Sequence, residues 1–268
     1  MRKFLAVLAF MCLAVGGAHA GNIMPGLSGA PTGWSTDRYQ PAVFSDVGPH
    51  AGASNVLAIT VDSSTAASSR PAGQQSQFYD TQGMSHSVTG GAGDSLLAAL
   101  YIPTAWANPG NGFRRTDLWG VMTDGTAVSG YPIIGFISST AYVGFEYWND
   151  SLGTWSQLTG TAVNYDGWNT LGFTFTGSNY NYSVNGTAVG SVVAQTGTNA
   201  FQKVILQAVN PIGDSVYAGD VTNGYTAYWA NTSAVPAPVP EPSPITVFGP
   251  GLFGLGLLLW VRRRTPLA

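Results

Sequence analysis

The stretch LGFTFTGSNYNYSVNGTAVGSVV, residues 171–193, has the clearest strand pattern in this chain. Apolar and polar side chains alternate with a period of two through residues 171–175 and again through residues 180–184, which is the pattern of β-strands with one buried face. Asn185 and Gly186 supply the pair of residues that a tight hairpin turn needs. The stretch therefore predicts a three-strand antiparallel meander.

The same period of two recurs along residues 21–234, and no helical period is found outside the two ends of the chain. Turn-forming pairs such as Asp124-Gly125 and Asn223-Gly224 separate the strands. We predict one all-β domain over residues 21–234, an antiparallel β-sandwich, with an immunoglobulin-like sandwich of fewer strands as the alternative. The further predicted strands are residues 96–102, 118–122, 133–137, 142–148, 203–209 and 225–230, with an early pair at 56–61 and 76–79.

Charge and cysteine content limit the function classes. Only 9% of the residues are charged, and residues 21–234 hold five basic against twelve acidic side chains. A nucleic-acid-binding protein is excluded because such proteins carry a basic face. The only cysteine is Cys12, so no disulfide is expected to hold the domain together.

The N-terminus has the three parts of a secretory signal. Arg2 and Lys3 precede an apolar run over residues 4–15, and the small residues Ala18 and Ala20 follow. We predict a signal peptide over residues 1–20, export by the Sec machinery and cleavage after Ala20.

The C-terminus is predicted to hold a short membrane tether. Residues 235–244 contain five prolines, which favours an extended linker. Residues 245–261 are apolar and lie at the short end of what crosses a bilayer. Arg262, Arg263 and Arg264 begin a basic tail, residues 262–268, that is expected to stay in the cytoplasm. A plain membrane anchor is the alternative to a processed signal.

The sequence Val239-Pro240-Glu241-Pro242-Ser243, followed by this apolar segment and three arginines, resembles the PEP-CTERM sorting signal. The resemblance covers about the last 30 residues; Pro250 and residues 265–268 depart from its usual form. It implies a Gram-negative exosortase as partner, with Pro240, Glu241 and Pro242 as the processing motif. It also implies transient anchoring in the inner membrane, followed by release or attachment at the cell surface.

A second resemblance concerns the domain itself. Residues 168–171, 182–186, 204–206 and 225–231 occur in an order similar to that of concanavalin A-like jelly rolls of the laminin G and lectin/glucanase kind. The resemblance extends over residues 78–231 and implies the jelly-roll form of the sandwich.

Jelly rolls that hydrolyse glucans carry paired carboxylates on one strand, in the pattern Glu-x-Asp-x-x-Glu. This chain has two glutamates, Glu146 and Glu241, and the nearest acidic neighbour of Glu146 on its predicted strand is Asp150. Four residues of extended chain span about 13 Å, whereas glycoside hydrolysis needs roughly 5 to 9.5 Å between the two groups. The sequence therefore predicts that the protein is not an enzyme.

The same strand has a candidate ligand-binding face. If Val143 and Phe145 point to the core, then Tyr142, Glu146 and Trp148 point the other way, where two aromatic rings and a carboxylate suit a sugar. The alternative is that these rings fill the space beneath covering loops.

No cofactor is predicted, and no metal site of the Cys/His kind. The loop oxygens of Asp214, Asp220 and Asn223 are kept as a candidate calcium site, and Arg115 before Asp117 is interpreted as a surface ion pair. The sequence thus predicts an exported, non-catalytic protein that binds exopolysaccharide or another glycan. The alternatives are a structural or adhesive matrix protein without a specific ligand, and a glycan-active hydrolase.

Overall fold

The computed structural model describes residues 21–234. The predicted signal peptide with Ala18 and Ala20, the sorting motif Pro240-Glu241-Pro242, the apolar segment 245–261 and Arg262, Arg263 and Arg264 lie outside the described residues. Within residues 21–234, no helix has the length and hydrophobicity to cross a bilayer.

Residues 21–234 form sixteen β-strands and seven short 3₁₀ helices. The strands are β1 (Asn22–Ile23), β2 (Trp34–Asp37), β3 (Val43–Asp46), β4 (Leu57–Val61), β5 (Thr81–Gly91), β6 (Ser95–Ile102), β7 (Arg114–Thr123), β8 (Val128–Gly130), β9 (Ile133–Ser138), β10 (Val143–Asn149), β11 (Thr154–Gln157), β12 (Gly167–Phe175), β13 (Asn179–Val184), β14 (Thr187–Val193), β15 (Ala200–Val209) and β16 (Tyr225–Ala230). The 3₁₀ helices are Ser63–Thr65, Ala67–Ser69, Gln77–Tyr79, Thr104–Ala107, Pro109–Asn111, Ser215–Tyr217 and Thr232–Ala234.

The strands form two sheets. The first sheet has the order β14-β13-β12-β6-β16-β4-β3, and β1 runs parallel to β6 at its side. The second sheet has the order β11-β10-β9-β7-β15-β5-β2, and β8 pairs with β7. All other pairings are antiparallel, and the architecture is a jelly-roll β-sandwich, as predicted.

The core lies between the two sheets because each sheet has one apolar face. Phe173 of β12 stacks on Phe201 of β15 with ring centroids 6.1 Å apart, so the two sheets meet directly through aromatic rings. Trp229 of β16 is fully buried, and its indole nitrogen donates to the Thr116 hydroxyl on the opposite sheet over 3.1 Å. The buried polar pair thus adds a directional contact to the apolar packing.

The predicted meander is confirmed as β12, β13 and β14, and the strand predicted at 225–230 matches β16. The strand predicted at 76–79 is wrong. Gln77–Tyr79 is a 3₁₀ helix, because the amides of Tyr79 and Asp80 donate to the carbonyls of Ser76 and Gln77 within the segment.

Candidate active site on the outward face of the second sheet

The strand register places one row of polar side chains across the second sheet. Gln207 of β15 is opposite Asp117 of β7, Asp117 is opposite Gly135 of β9, and Gly135 is opposite Glu146 of β10. Directly opposite residues in an antiparallel pair share one face of the sheet. The adjacent residue Leu118 belongs to the core, so the row faces away from the core.

Gly135 allows Asp117 and Glu146 to approach each other. A Cβ atom at position 135 would collide with Oδ1 of Asp117, which means that the carboxylate of Asp117 leans over the glycine. Glu146 stands on the far side of the same glycine. The two acids therefore face each other across one strand that has no side chain at this position.

Arg115 lies against both acids. Its Nε atom is 3.3 Å from Oδ2 of Asp117 and 3.5 Å from Oε1 of Glu146. The two oxygens can be no farther apart than the sum of these distances, about 6.8 Å. That limit is compatible with the separations at which two carboxyl groups cleave a glycosidic bond, roughly 5 to 9.5 Å.

The two acids are shielded from solvent. The guanidinium of Arg115 stacks 3.8 Å above the ring of Trp155. Only 1% of the Asp117 side chain and 5% of the Glu146 side chain are exposed. Arg115, stacked on Trp155, lies against the two carboxyl groups and helps to shield them.

Burial changes the protonation of the pair. Desolvation raises the pKa of Glu146 to about 7, although the Arg115 charge lowers it, and the nearby Asp117 charge raises it further. Desolvation also raises the pKa of Asp117, opposed by the charge of Arg115. Near neutral pH, a large fraction of Glu146 can therefore carry a proton to donate.

Arg115 and Trp155 belong to the lining of a cleft of about 490 Å³, whereas Asp117 and Glu146 lie outside that lining. The volume is within the size range of small-ligand sites. The walls of the cleft are largely aromatic at one end, where Trp148 donates to the Asp150 carboxylate over 2.5 Å. At the other end lie Arg38 and Phe78. The aromatic lining comprises Phe78, Trp119, Tyr131, Trp148, Trp155 and Tyr217.

The predicted ligand-binding residues are placed as follows. Val143 and Phe145 face the core, so the predicted direction of the strand is correct, and Trp148 lines the cleft. Glu146 lies beneath Arg115. Tyr142 precedes β10, and its hydroxyl donates to the Phe145 carbonyl over 3.0 Å. A ligand-binding role for Tyr142, Glu146 and Trp148 stays a prediction.

The three residues of the candidate calcium site bond to different segments. Asp214 accepts from the amide of Val216, and Asp220 accepts from the amide of Thr140. Asn223 accepts from Nη1 of Arg114. Their oxygens are used to hold loops in place, and a role in calcium binding stays a prediction.

Sequence reasoning missed Asp117 and Arg115. Asp150 was considered as the partner of Glu146 because it follows on the same strand, whereas the structure brings Asp117 beside Glu146 from another strand. The interpretation of Arg115 and Asp117 as a surface ion pair is wrong, because both side chains are largely buried. Alternation along residues 115–119 places Arg115, Asp117 and Trp119 on one face of their strand. The sequence does not show which strands pair, and therefore does not show that Asp117 lies near Glu146.

No protein-family model and no curated protein sequence matches the chain. Several solved structures are similar to it. A β-glucanase of Bacillus licheniformis has 16% identity and a TM-score of 0.39, covering 76% of this chain and 91% of that chain. A GH16 protein of Bacteroides ovatus, described with mixed-linkage glucan, has 12% identity and a TM-score of 0.43, covering 74% and 92%. The non-specific endo-β-1,3(4)-glucanase SCLam has 15% identity and a TM-score of 0.42, covering 75% and 84%.

Two sequence-based predictions are thereby corrected. The protein was predicted to be no enzyme and to bind glycan without catalysis, whereas the similar structures are those of glucan-degrading enzymes. The physical reason for excluding hydrolysis also fails. It assumed Asp150 as the second acid, about 13 Å away along the strand, but Asp117 lies within reach of Glu146.

Proposed function

We propose that this chain is an exported glycan-active hydrolase in which Glu146 and Asp117 are the two catalytic carboxyl groups. One observation carries the proposal: two buried acids on separate strands contact the same guanidinium, and that arginine lines an aromatic cleft. Aromatic rings offer flat apolar surfaces to the faces of sugars, and a carboxyl pair is the usual chemistry for cleaving the bond between them.

The two acids have different roles in this mechanism. Glu146, whose pKa burial raises to about 7, donates a proton to the leaving glycosidic oxygen. Asp117 acts in its ionised form on the opposite side of the sugar, either directly on the anomeric carbon or by activating water. Burial raises the pKa of Asp117, and the charge of Arg115 opposes that rise. The carbon–oxygen bond breaks and water supplies the new hydroxyl group. If Asp117 attacks the carbon, Glu146 takes the proton of the water that releases the sugar from Asp117. If Asp117 activates the water, Asp117 takes that proton and gives it to solvent, and Glu146 regains a proton from solvent.

Arg115 has to move for a sugar to reach the acids. Its guanidinium occupies the face of Trp155 and touches both carboxyl groups. A sugar ring that stacks on Trp155 would displace the guanidinium toward Asp117, where it would keep that group ionised. Substrate binding and uncovering of the acids are then one event.

The export of this activity is part of the proposal. The signal peptide 1–20 would direct the chain to the Sec machinery, and Pro240, Glu241 and Pro242 would bring it to an exosortase at the inner membrane. The mature domain would act on polysaccharide at the cell surface or in the extracellular matrix of a Gram-negative bacterium. This rests on the order of signals in the sequence.

The test is release of reducing ends from soluble polysaccharides by the purified full chain. The first substrates are mixed-linkage and β-1,3-glucans, together with the exopolysaccharide of the producing strain. We expect Glu146→Gln and Asp117→Asn each to lower kcat at least a hundredfold, because each removes one half of the acid pair. The wild-type rate should fall as the pH rises above about 7, where Glu146 loses its proton.

Asp124→Asn is the matched control, because Asp124 lies in an exposed turn and its carboxylate accepts from the amides of Thr126 and Ala127. This variant should retain full activity. Product release that is unchanged in Glu146→Gln would overturn the proposal, as would the absence of activity on every polymer with a correctly folded wild type.

A further inference from the structure

The distribution of positive charge points to the kind of glycan that the cleft accepts. Residues 21–234 contain five cationic side chains. Arg70 and Arg114 are 4% and 9% exposed. The other three, Arg38, Arg115 and Lys203, belong to the outward face of the second sheet or to its margin. A domain with an acidic balance thus places its three less buried cations on the face that carries the cleft.

Arg38 lines the cleft and has free hydrogen-bonding capacity. Its Nη1 atom donates to the Thr81 hydroxyl over 2.6 Å and to Oε1 of Gln207 over 3.3 Å. Its Nε and Nη2 atoms donate to no residue within 21–234, and 16% of the side chain is exposed. A guanidinium edge of this kind matches the two oxygens of a carboxylate.

The position of Arg38 is fixed from both sides. Its guanidinium carbon lies 4.8 Å from the ring centroid of Phe78 and 5.4 Å from that of Trp119. Its backbone has a φ of 67°, which is unfavourable for a residue with a side chain. Such strain is found where the surroundings hold a residue for a purpose.

The acidic groups of the cleft leave this edge of Arg38 available. Asp80 pairs with Arg70 at 2.8 Å, and Asp150 accepts from Trp148. Within residues 21–234, the ion pair given for Arg38 is with Asp37, whose Oδ2 lies 3.7 Å from Nη1 without a hydrogen bond to it. Arg115, by contrast, already contacts two acids.

We propose that Arg38 is a substrate-binding residue for a carboxylate on the sugar chain, and that the preferred substrate is an acidic glycan of the uronic acid class. The inference rests on the proposed function, because it names the substrate of the same cleft. Arg38 contacts Gln207, which is directly opposite Asp117 in the strand register. Gln207 is one strand spacing, about 5 Å, from Asp117 and three, about 14 Å, from Glu146, so the guanidinium lies on the Asp117 side of the acid pair. A carboxylate bound there would belong to a sugar next to, or one removed from, the bond that is cleaved.

The experiment measures binding by affinity electrophoresis of the full chain in two gels. One gel contains mixed-linkage β-glucan, and the other contains the same polymer oxidised to the carboxylate at C6. We expect the wild type to bind the oxidised polymer about tenfold more tightly, as one charge-assisted bidentate contact allows. Arg38→Gln should bind the two polymers equally.

Lys203→Gln is the matched control, because it removes a charge from the same face without lining the cleft. It should keep most of the preference. If Arg38→Gln and Lys203→Gln lost the preference for the oxidised polymer equally, general charge attraction would explain the binding and the specific site would be wrong. If the wild type bound both polymers equally, the proposal of an acidic substrate would be wrong.

Two further readouts keep the outcomes distinct. Arg38→Gly relieves the positive φ and removes the guanidinium, so it should lose the preference while unfolding at no lower temperature than Arg38→Gln. If the wild type prefers the oxidised polymer but cleaves neither, the proposed hydrolysis fails and the binding site stands. If it cleaves the neutral polymer and shows no preference, the hydrolysis stands and the acidic substrate fails.

Discussion

Among single residues, Glu146 has the protonation behaviour that most directly affects both stability and chemistry. Its pKa is about 7 in the folded protein and near the ordinary value of 4.5 in the unfolded chain. Between these values the unfolded chain has released a proton that the folded protein retains. The free energy of unfolding therefore falls as the pH rises from about 4.5 to about 7.

The test compares urea unfolding of the wild type and Glu146→Gln at pH 5 and pH 8. From pH 5 to pH 8, we expect the free energy of unfolding of the wild type to fall by up to about 3 kcal/mol more than that of the variant. This estimate uses about 1.4 kcal/mol per unit of pKa shift. Asp80, with a pKa raised by burial to about 6, is present in both proteins, so its effect cancels in the difference. If the free energy of unfolding changed by the same amount in the two proteins, Glu146 would not be a buried acid that retains its proton in the folded state.

At the scale of the strand, β9 matters for the side chain that it lacks. A methyl group at Gly135 would collide with Oδ1 of Asp117 and lie 2.6 Å from the Thr116 carbonyl oxygen. One of these contacts is with the backbone, so the strand itself has to shift. We expect Gly135→Ala to lower the free energy of unfolding by about 1–3 kcal/mol and to abolish hydrolysis by displacing Asp117.

Gly91 of β5 provides the comparison, since a methyl group there would lie 3.6 Å from the Asn199 carbonyl oxygen, an ordinary contact. Gly91→Ala should keep its activity and change stability by no more than about 0.5 kcal/mol. Thermal and urea unfolding measure the stability of both variants, and the reducing-end assay measures their activity. A fully active Gly135→Ala would mean that the carboxylate of Asp117 is not needed where it stands.

Strands with a regular alternation could be recognised from the sequence, because the pattern is local. The meander β12–β14 and strand β16 are examples. The strand β5, TQGMSHSVTGG, has no such pattern and was missed. Its place between β15 and the edge strand β2 comes instead from cross-strand pairing, with nine pairs to β15. Local alternation indicates that one face of a strand is buried, but it does not indicate which strands pair with it.

For the whole molecule, the active-site geometry is a product of strand order. Asp117 and Glu146 are 29 residues apart in the sequence, and they meet because β9 lies between β7 and β10 with glycine at the shared register position. Trp148 of the cleft and the nearby Glu146 could be identified from the alternation of their strand, whereas Arg38, Arg115 and Trp119 of the cleft could not. The pairing that brings Asp117 to Glu146 depends on the packing of both sheets and could not be read.

Gly21 would become the N-terminus after the predicted signal cleavage, and its contacts in the fold bear on that step. The Gly21 nitrogen donates to Oδ1 of Asp94 over 2.7 Å, and the Ser95 amide donates to the Gly21 carbonyl. Cleavage after Ala20 would turn this nitrogen into an ammonium group beside a carboxylate, a stronger contact than the amide makes. The predicted cleavage site thus leaves the first strand in place and adds an ion pair to it.

We therefore expect intact-mass measurement of the surface protein to give a chain that begins at Gly21 and lacks Arg262, Arg263 and Arg264. In a host without exosortase, and in a variant with Pro240, Glu241 and Pro242 replaced by alanine, the chain should stay in the membrane fraction with its tail. A domain found in the cytosol with residues 1–20 still attached would contradict export. A tail retained in both hosts would instead identify the C-terminus as a permanent anchor, since a processed signal has to disappear where the enzyme is present.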